Sequence, residues 1–170
     1  MDQLKEHVQG VCDYLQAHGL MLTTAESCTA GCIVALLSQI PGSGCVLESG
    51  YVVYSPEAKQ RLLKVSADTI ARFGLTSEAV AREMALGALR NSQANSAVAT
   101  TGVAGPEPMD GIPPGTVCLA WVFAEGGEQA VFTRTVRFYG EREEVMQQAA
   151  VHALSGIEYF HQRYQEGERA

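Results

Sequence analysis

The sequence predicts an α/β protein: one domain built as a three-layer α/β/α sandwich around a mixed sheet. Three observations lead there. Segments with helical spacing alternate with short apolar runs early in the chain, as when helices join parallel strands. Two strand-like segments flanking Gly126-Gly127 follow, which is the pattern of an antiparallel hairpin. The chain has 170 residues, 46% of them hydrophobic, which is enough for one sizeable core. No linker, internal repeat or low-complexity tract divides it. The domain is expected over residues 1–161, followed by a polar, frayed tail at 162–170.

The elements follow in order. Leu4, Val8, Val11, Cys12 and Leu15 fall on one helical face, and Gly19 closes that helix. Leu20, Met21 and Leu22 run into Thr23 and Thr24 and predict a buried strand at 20–24. A polar cluster, Glu26-Ser27-Cys28-Thr29, comes next, and a small, apolar helix is expected over 27–38. Pro41 to Gly44 make a turn. Cys45 to Tyr54 read as a strand, with Gly50 marking a bulge or close approach. Ser55, Pro56 and Glu57 open a helix as cap, first residue and first-turn acid. Ser66 caps a short helix that Gly74 ends. Thr76 or Ser77 starts the next, whose face is Val80, Met84 and Leu89, padded by Ala81, Ala85 and Ala88. Ala97 to Ala99 form a short buried strand. Residues 106–114 hold four Pro and no periodicity, so they read as an irregular loop. Strands at 116–124 and 129–139 make the hairpin. A closing helix runs from Glu141 to about Tyr159, with Val145, Ala149, His152 and Leu154 as buried candidates.

Composition excludes several functions. Net charge is −7 and no basic run exists, so a nucleic-acid partner is not expected. Charged residues are only 18%, which suggests surface covered by a second copy, a homodimer or higher homo-oligomer. The five Cys, at 12, 28, 32, 45 and 118, lack a disulfide spacing. Cys28 and Cys32 are C-x3-C with no second pair, so neither a metal nor a cofactor is expected. Reduced cysteines, a first turn carrying Asp2, Lys5, Glu6 and His7, and no 18-residue apolar run point to the cytoplasm with no membrane span.

Chemistry concentrates at strand ends, where open α/β sheets bind ligands. One candidate is Thr24 to Thr29, where a strand meets a helix start and free N–H groups gather. Ser27 or Thr24 there fits either a helix cap or a chemical role. A second is Thr100 to Pro106, whose Gly102 and Gly105 permit close backbone approach or simply a tight turn. It is neither a dinucleotide fingerprint nor a Walker motif. The third is Tyr54 to Lys59. A lysine near a serine acts as its base if burial keeps the amine neutral, and is otherwise a surface residue.

Taken together, the segments Thr24-Ala25-Glu26-Ser27-Cys28-Thr29-Ala30-Gly31, Tyr54-Ser55-Pro56-Glu57-Ala58-Lys59, Thr101-Gly102-Val103-Ala104-Gly105-Pro106, Pro114-Gly115-Thr116-Val117 and Gly140-Glu141-Arg142-Glu143 resemble the C-terminal domain of the competence/damage-inducible (CinA) family. The resemblance covers almost the whole chain, in its stand-alone form. It implies an amidohydrolase that converts nicotinamide mononucleotide to nicotinate mononucleotide and ammonia through a Ser/Lys mechanism. Ser27 would be the nucleophile, Lys59 the base and Tyr54 a relay or support. Substrate would be held by Thr24, Glu26, Thr29 and Gly31, by Thr101, Gly102, Ala104 and Gly105, and by Arg142 at the phosphate. Amides near the 27–31 helix start would stabilise the oxyanion.

The chain departs from the family pattern at several points. Ala30 replaces a Gly, which is expected to narrow the pocket. Pro56 replaces an Asn and removes a rim amide, and Thr101 replaces a Ser. Ile112 or Pro113 stands where a Lys belongs, and Met146 where Arg is common. Each cation lost beside a phosphate weakens binding by about 1–3 kcal/mol. The alternative reading is therefore a weak or inactive paralogue that binds a small ligand or a protein.

Overall fold

The computed structural model describes residues 2–170. Its strands are β1 (Leu22–Glu26), β2 (Leu47–Val52), β3 (Ser96–Gly102), β4 (Thr116–Glu125) and β5 (Glu128–Arg137). They form one mixed sheet in the order β2-β1-β3-β4-β5. β1 pairs in parallel with β2 and β3, whereas β4 runs antiparallel to both β3 and β5. The helices are α1 (Asp2–Ala17), α2 (Cys32–Ser38), α3 (Pro56–Leu63), α4 (Ala67–Phe73), α5 (Glu78–Arg90) and α6 (Arg142–Gln165).

Strand alternation splits the core in two. Val117, Leu119, Trp121 and Phe123 of β4 face α1, α2 and α6, while Cys118, Ala120 and Val122 face α5. Small residues set the second interface: Ala97, Ala99 and Ala120 meet Ala81, Ala85 and Ala88 of α5. Close approach recurs at Gly156 of α6, where a Cβ would lie 2.5 Å from the Trp121 ring. The Trp121 indole N–H donates to Ala153 O at 2.8 Å, so the largest core residue leaves no buried donor unpaired. Gly126 and Gly127, at φ 60° and 81°, supply the left-handed turn that a twisted two-residue hairpin needs.

The three serine-led helix starts form as expected. Ser55, Ser66 and Ser77 accept from the N–H groups of Ala58, Asp68 and Val80. Each such cap is worth about 1 kcal/mol. Gly50 is a close approach, since a Cβ there would sit 2.4 Å from Val34.

Five expectations are corrected. The first strand ends at Glu26, two residues beyond Thr24, because Thr23, Thr24, Ala25 and Glu26 all pair with β3. The helix expected at 27–38 starts only at Cys32, because Ala30 and Gly31 have φ of 51° and 92°, outside helical space. The loop after Gly105 contains a small hairpin: Met109 and Ile112 exchange backbone hydrogen bonds of 3.2 and 2.9 Å around Asp110-Gly111. Finally, α6 continues to Gln165, into the stretch expected as a polar tail. Buried Tyr164 accepts from Glu125 N–H, and Arg169 reaches Glu128, so the hairpin turn holds this end. His152 is exposed, not buried.

Candidate active site

β1 and β2 are parallel neighbours, so their carboxyl ends open at the same edge of the sheet. Ser27 follows β1 directly, and its N–H donates to Thr100 O at 3.0 Å. Val53 follows β2, and its N–H donates to Glu26 O at 2.9 Å. These bonds hold Ser27 beside Val53 and Tyr54. α3 then starts at its Ser55 cap, and Lys59, one turn in, points back beneath the strand ends. It is 1% exposed.

Lys59 Nζ donates to Ser27 Oγ at 2.9 Å, to Val53 O at 2.9 Å and to Tyr54 O at 3.1 Å. No carboxylate pairs with it among the described residues. Burial pushes its pKa below the ordinary lysine value. The opposing influence would be a Cys28 thiolate, but burial pushes the Cys28 thiol up to about 12, so it is neutral near pH 7. The neutral amine has two N–H bonds and one lone pair. The two carbonyls can only accept, so in that form both N–H groups would go to them, leaving the lone pair to face the Ser27 hydroxyl.

The Tyr54 side chain lies elsewhere. It is 57% exposed, and its hydroxyl accepts from Arg142 Nη2 at 2.8 Å. Only its carbonyl touches Lys59. Arg142 also donates through Nη1 to Gly105 O, and it has no carboxylate partner among the described residues.

Ser27 and Lys59 line a cavity of about 310 Å³ together with Tyr54, Thr101, Gly102, Ala104, Gly105 and Arg142. Gly102 is there because a Cβ would strike Thr116 O at 2.5 Å, and Gly105 because its φ is 98°. Among the described residues, the N–H groups of Ala104 and Gly105 make no backbone hydrogen bond, while that of Cys28 is met by its own thiol. The first two remain for a ligand oxygen.

The other expected binding residues stand behind this wall. Glu26, fully buried, accepts from Thr29 Oγ1 at 2.6 Å, Ile33 N at 3.0 Å and Val34 N at 3.3 Å. Its carboxylate therefore occupies the first-turn amides of α2, which are not available to an oxyanion. Thr29 also bonds Thr100 Oγ1 at 2.8 Å, and Gly31 is the α2 N-cap. Thr24 is buried within the sheet, with its hydroxyl unpartnered among the described residues. Neither Ser27 nor Thr24 caps the helix.

The family departures also resolve. Ala30 is exposed and off the cavity, so its methyl does not narrow it; its cost is a left-handed backbone. Pro56 is the first residue of α3 and Met146 packs on the core; neither they nor Ile112 and Pro113 line the cavity. Lining residues that sequence reasoning missed include Cys28, Thr76, Glu107 and Met109. Thr76 carried only a helix-start signal. It reaches the wall because Thr101 Oγ1 donates to Leu75 O at 2.9 Å.

The model of the CinA C-terminal domain matches residues 4–160. This chain belongs to the CinA C-terminal domain family. Among CinA-family relatives, a protein of Escherichia coli (strain K12) named nicotinamide-nucleotide amidohydrolase PncC is 41% identical over 144 residues, 84% of this chain and 86% of that protein. A Pseudomonas putida protein of the same name is 38% identical over 158 residues, 92% of this chain and 96% of that one. The crystal structure of the competence damage-inducible protein A (ComA) from Klebsiella pneumoniae subsp. pneumoniae MGH 78578 is 36% identical with a TM-score of 0.86, covering 97% of this chain and 99% of that one. The CinA fold is thus shared along nearly the whole chain. No helix among the described residues is long and apolar enough to cross a membrane.

Proposed function

We propose that this CinA-family protein hydrolyses the carboxamide of nicotinamide mononucleotide, giving nicotinate mononucleotide and ammonia. The observation that carries the reading is the buried Lys59 amine 2.9 Å from Ser27 Oγ, held in place by the Val53 and Tyr54 carbonyls. The relatives named for this activity support the substrate.

Neutral Lys59 takes the Ser27 proton as Oγ attacks the carboxamide carbon. The developing oxyanion is met by the spare N–H groups of Ala104 and Gly105 rather than by α2. Lys59 then returns the proton to the leaving nitrogen as the C–N bond breaks, and ammonia departs. Water attacks the resulting ester, giving its proton to Lys59. The ester C–O bond breaks, the proton passes back to Ser27 Oγ, and the acid product leaves, losing its remaining proton to solvent to become the carboxylate. The proton route is direct, because the Tyr54 hydroxyl is bonded to Arg142. Arg142, without an acid partner among the described residues, binds the phosphate.

Five free cysteines support a reducing compartment, the cytoplasm, as the place of action. Exposed Tyr54 and Met109 at the cavity, with exposed Val52 at the end of β2, support a homo-oligomer. The test is ammonia release from nicotinamide mononucleotide by the purified protein, with Ser27→Ala and Lys59→Ala as controls. Release that both variants lose is expected. Binding without release would instead favour the scaffold reading, and neither binding nor release would end the proposal.

A further inference from the structure

The cavity beside Ser27 carries charges of opposite sign that do not meet. Among its lining residues Glu107 is the only carboxylate, and Arg142 and Lys59 are the only basic side chains. Glu107 has no cation within ion-pair distance among the described residues, Arg142 included. Arg142 donates to Gly105 O and the Tyr54 hydroxyl, and Lys59 to Ser27 and two carbonyls. The other acid near Ser27 is closed to a ligand, because the Glu26 carboxylate is engaged by Thr29 and the first-turn amides of α2.

A stiff stretch of chain carries Glu107. It stands between Pro106 and Pro108. The two rings fix φ on either side of it, and a residue that precedes proline is confined to extended backbone. Just beyond, Met109 and Ile112 close their two-residue turn with backbone hydrogen bonds of 3.2 and 2.9 Å. Leu75 and Met109 add apolar surface to the same cavity.

We infer that Glu107 recognises a cationic ring, so that the cavity takes a zwitterion: ring cation toward Glu107, phosphate toward Arg142. The inference rests on the amidohydrolase reading for its substrate, whose pyridine nitrogen bears the ribose and with it a full positive charge. A carboxylate without a protein partner, beside apolar surface, suits a delocalised ring cation better than a compact ammonium, which holds its hydration shell. Cavity walls of low dielectric focus the field of a charge, so a carboxylate that solvent can reach still discriminates. A neutral ring gains nothing from it. Glu107 is thus a specificity-determining residue that selects charged, N-substituted nicotinamides over neutral amides of the same shape, a choice the Ser27–Lys59 pair does not make.

The probes are 1-methylnicotinamide, whose ring is charged, and nicotinamide, whose ring is neutral at neutral pH. Neither has a phosphate, so Arg142 drops out of the comparison. Calorimetric titration measures the affinity for each in wild type and in Glu107→Gln. Wild type is expected to prefer the cation, and the preference to fall about three- to tenfold in the variant, with nicotinamide affinity unchanged. Added salt should reduce the preference in wild type and not in Glu107→Gln, and Glu107→Asp, which keeps the charge, should retain most of it. For nicotinamide mononucleotide, kcat/KM should fall by the same factor, mainly through KM. No measurable binding of the cation to wild type, no preference for it, or a preference that Glu107→Gln leaves unchanged overturns the proposal. Glu107 is exposed, so its variants should melt with wild type, and Glu107→Ala replaces Glu107→Gln if melting shows misfolding. If the wild type does not turn over nicotinamide mononucleotide, the amidohydrolase reading fails. The calorimetric preference needs no turnover and still decides the role of Glu107.

Discussion

Replacing Lys59 with Met keeps the length and most of the volume of the side chain but removes the amine. Three hydrogen bonds go with it, to Ser27, Val53 and Tyr54. Each is worth about 1 kcal/mol, and relief from burying an amine offsets part of that, so stability should change by no more than about 2 kcal/mol. Turnover should change far more. A positioned general base is worth about 10²- to 10⁴-fold. Ser27 is only 8% exposed, so water is a poor substitute base, and the loss should lie at the upper end. That is about 10⁴-fold in kcat, or about 5 kcal/mol of transition-state stabilisation. The assay is ammonia release as a function of pH. Wild-type kcat/KM should rise with pH along a limb centred below the ordinary lysine value of 10.5, because burial lowers the Lys59 pKa and only the neutral amine accepts a proton. The limb should vanish in Lys59→Met. Linkage gives an independent check. Between the lowered folded pKa and 10.5 the unfolded chain binds more protons, so wild-type stability should increase with pH in that window and the variant's should not. A variant within tenfold of wild type, or one that keeps the limb, would refute the base assignment.

The other predictions are smaller in scale. Tyr54→Phe should leave kcat within about threefold and raise KM, because its hydroxyl bonds Arg142 and not the Ser27–Lys59 pair. Steady-state kinetics checks this, and a hundredfold fall in kcat would restore a relay role. Ala30→Gly should stabilise by about 1 kcal/mol, since residue 30 has φ 51°, and raise the melting temperature by about 2–4 °C. Calorimetry reads that shift. Burial lowers the pKa of His161, whose ring faces Glu125, His18 and the Tyr14 hydroxyl at 2.9 Å. Its contribution to stability should be complete above the unfolded value of 6.5 and be lost as pH falls through the folded pKa. Urea midpoints between about pH 5 and 7.5 should therefore drop less in His161→Gln than in wild type.

Particular residues show how much of the site could be read in the sequence. Ser55, Pro56 and Glu57 carried a complete helix start, so the origin of α3 was plain, and with it the place of Lys59 one turn in. Gly102 and Gly105 carried the loop. Glu26 did not disclose its part. A carboxylate beside a serine suggests chemistry, yet here it caps α2 from inside the sheet, a contact that exists only once β1 and α2 have packed. Ala30 concealed the left-handed turn, because alanine gives no sign of positive φ. Thr76 and Met109 reached the wall through loops whose path depends on distant hydrogen bonds. The end of α6 was hidden by its polarity, since Tyr164 is buried only against the β4–β5 turn.

The amino-acid order by itself determined the α/β layering, the strand alternation, the serine caps and the family, because each rests on local periodicity or on short motifs. Tertiary structure alone decided that Ser27 and Lys59, 32 residues apart, are hydrogen-bonded. Parallel pairing of β1 with β2 brings their ends together, and burial there lowers the pKa of the amine. Tertiary structure also decided that Glu107 and Arg142 share one cavity, since that follows from how the loop after β3 folds against the start of α6. Local sequence sets what each segment prefers, while charge state and convergence arise only when separate segments shut out solvent together.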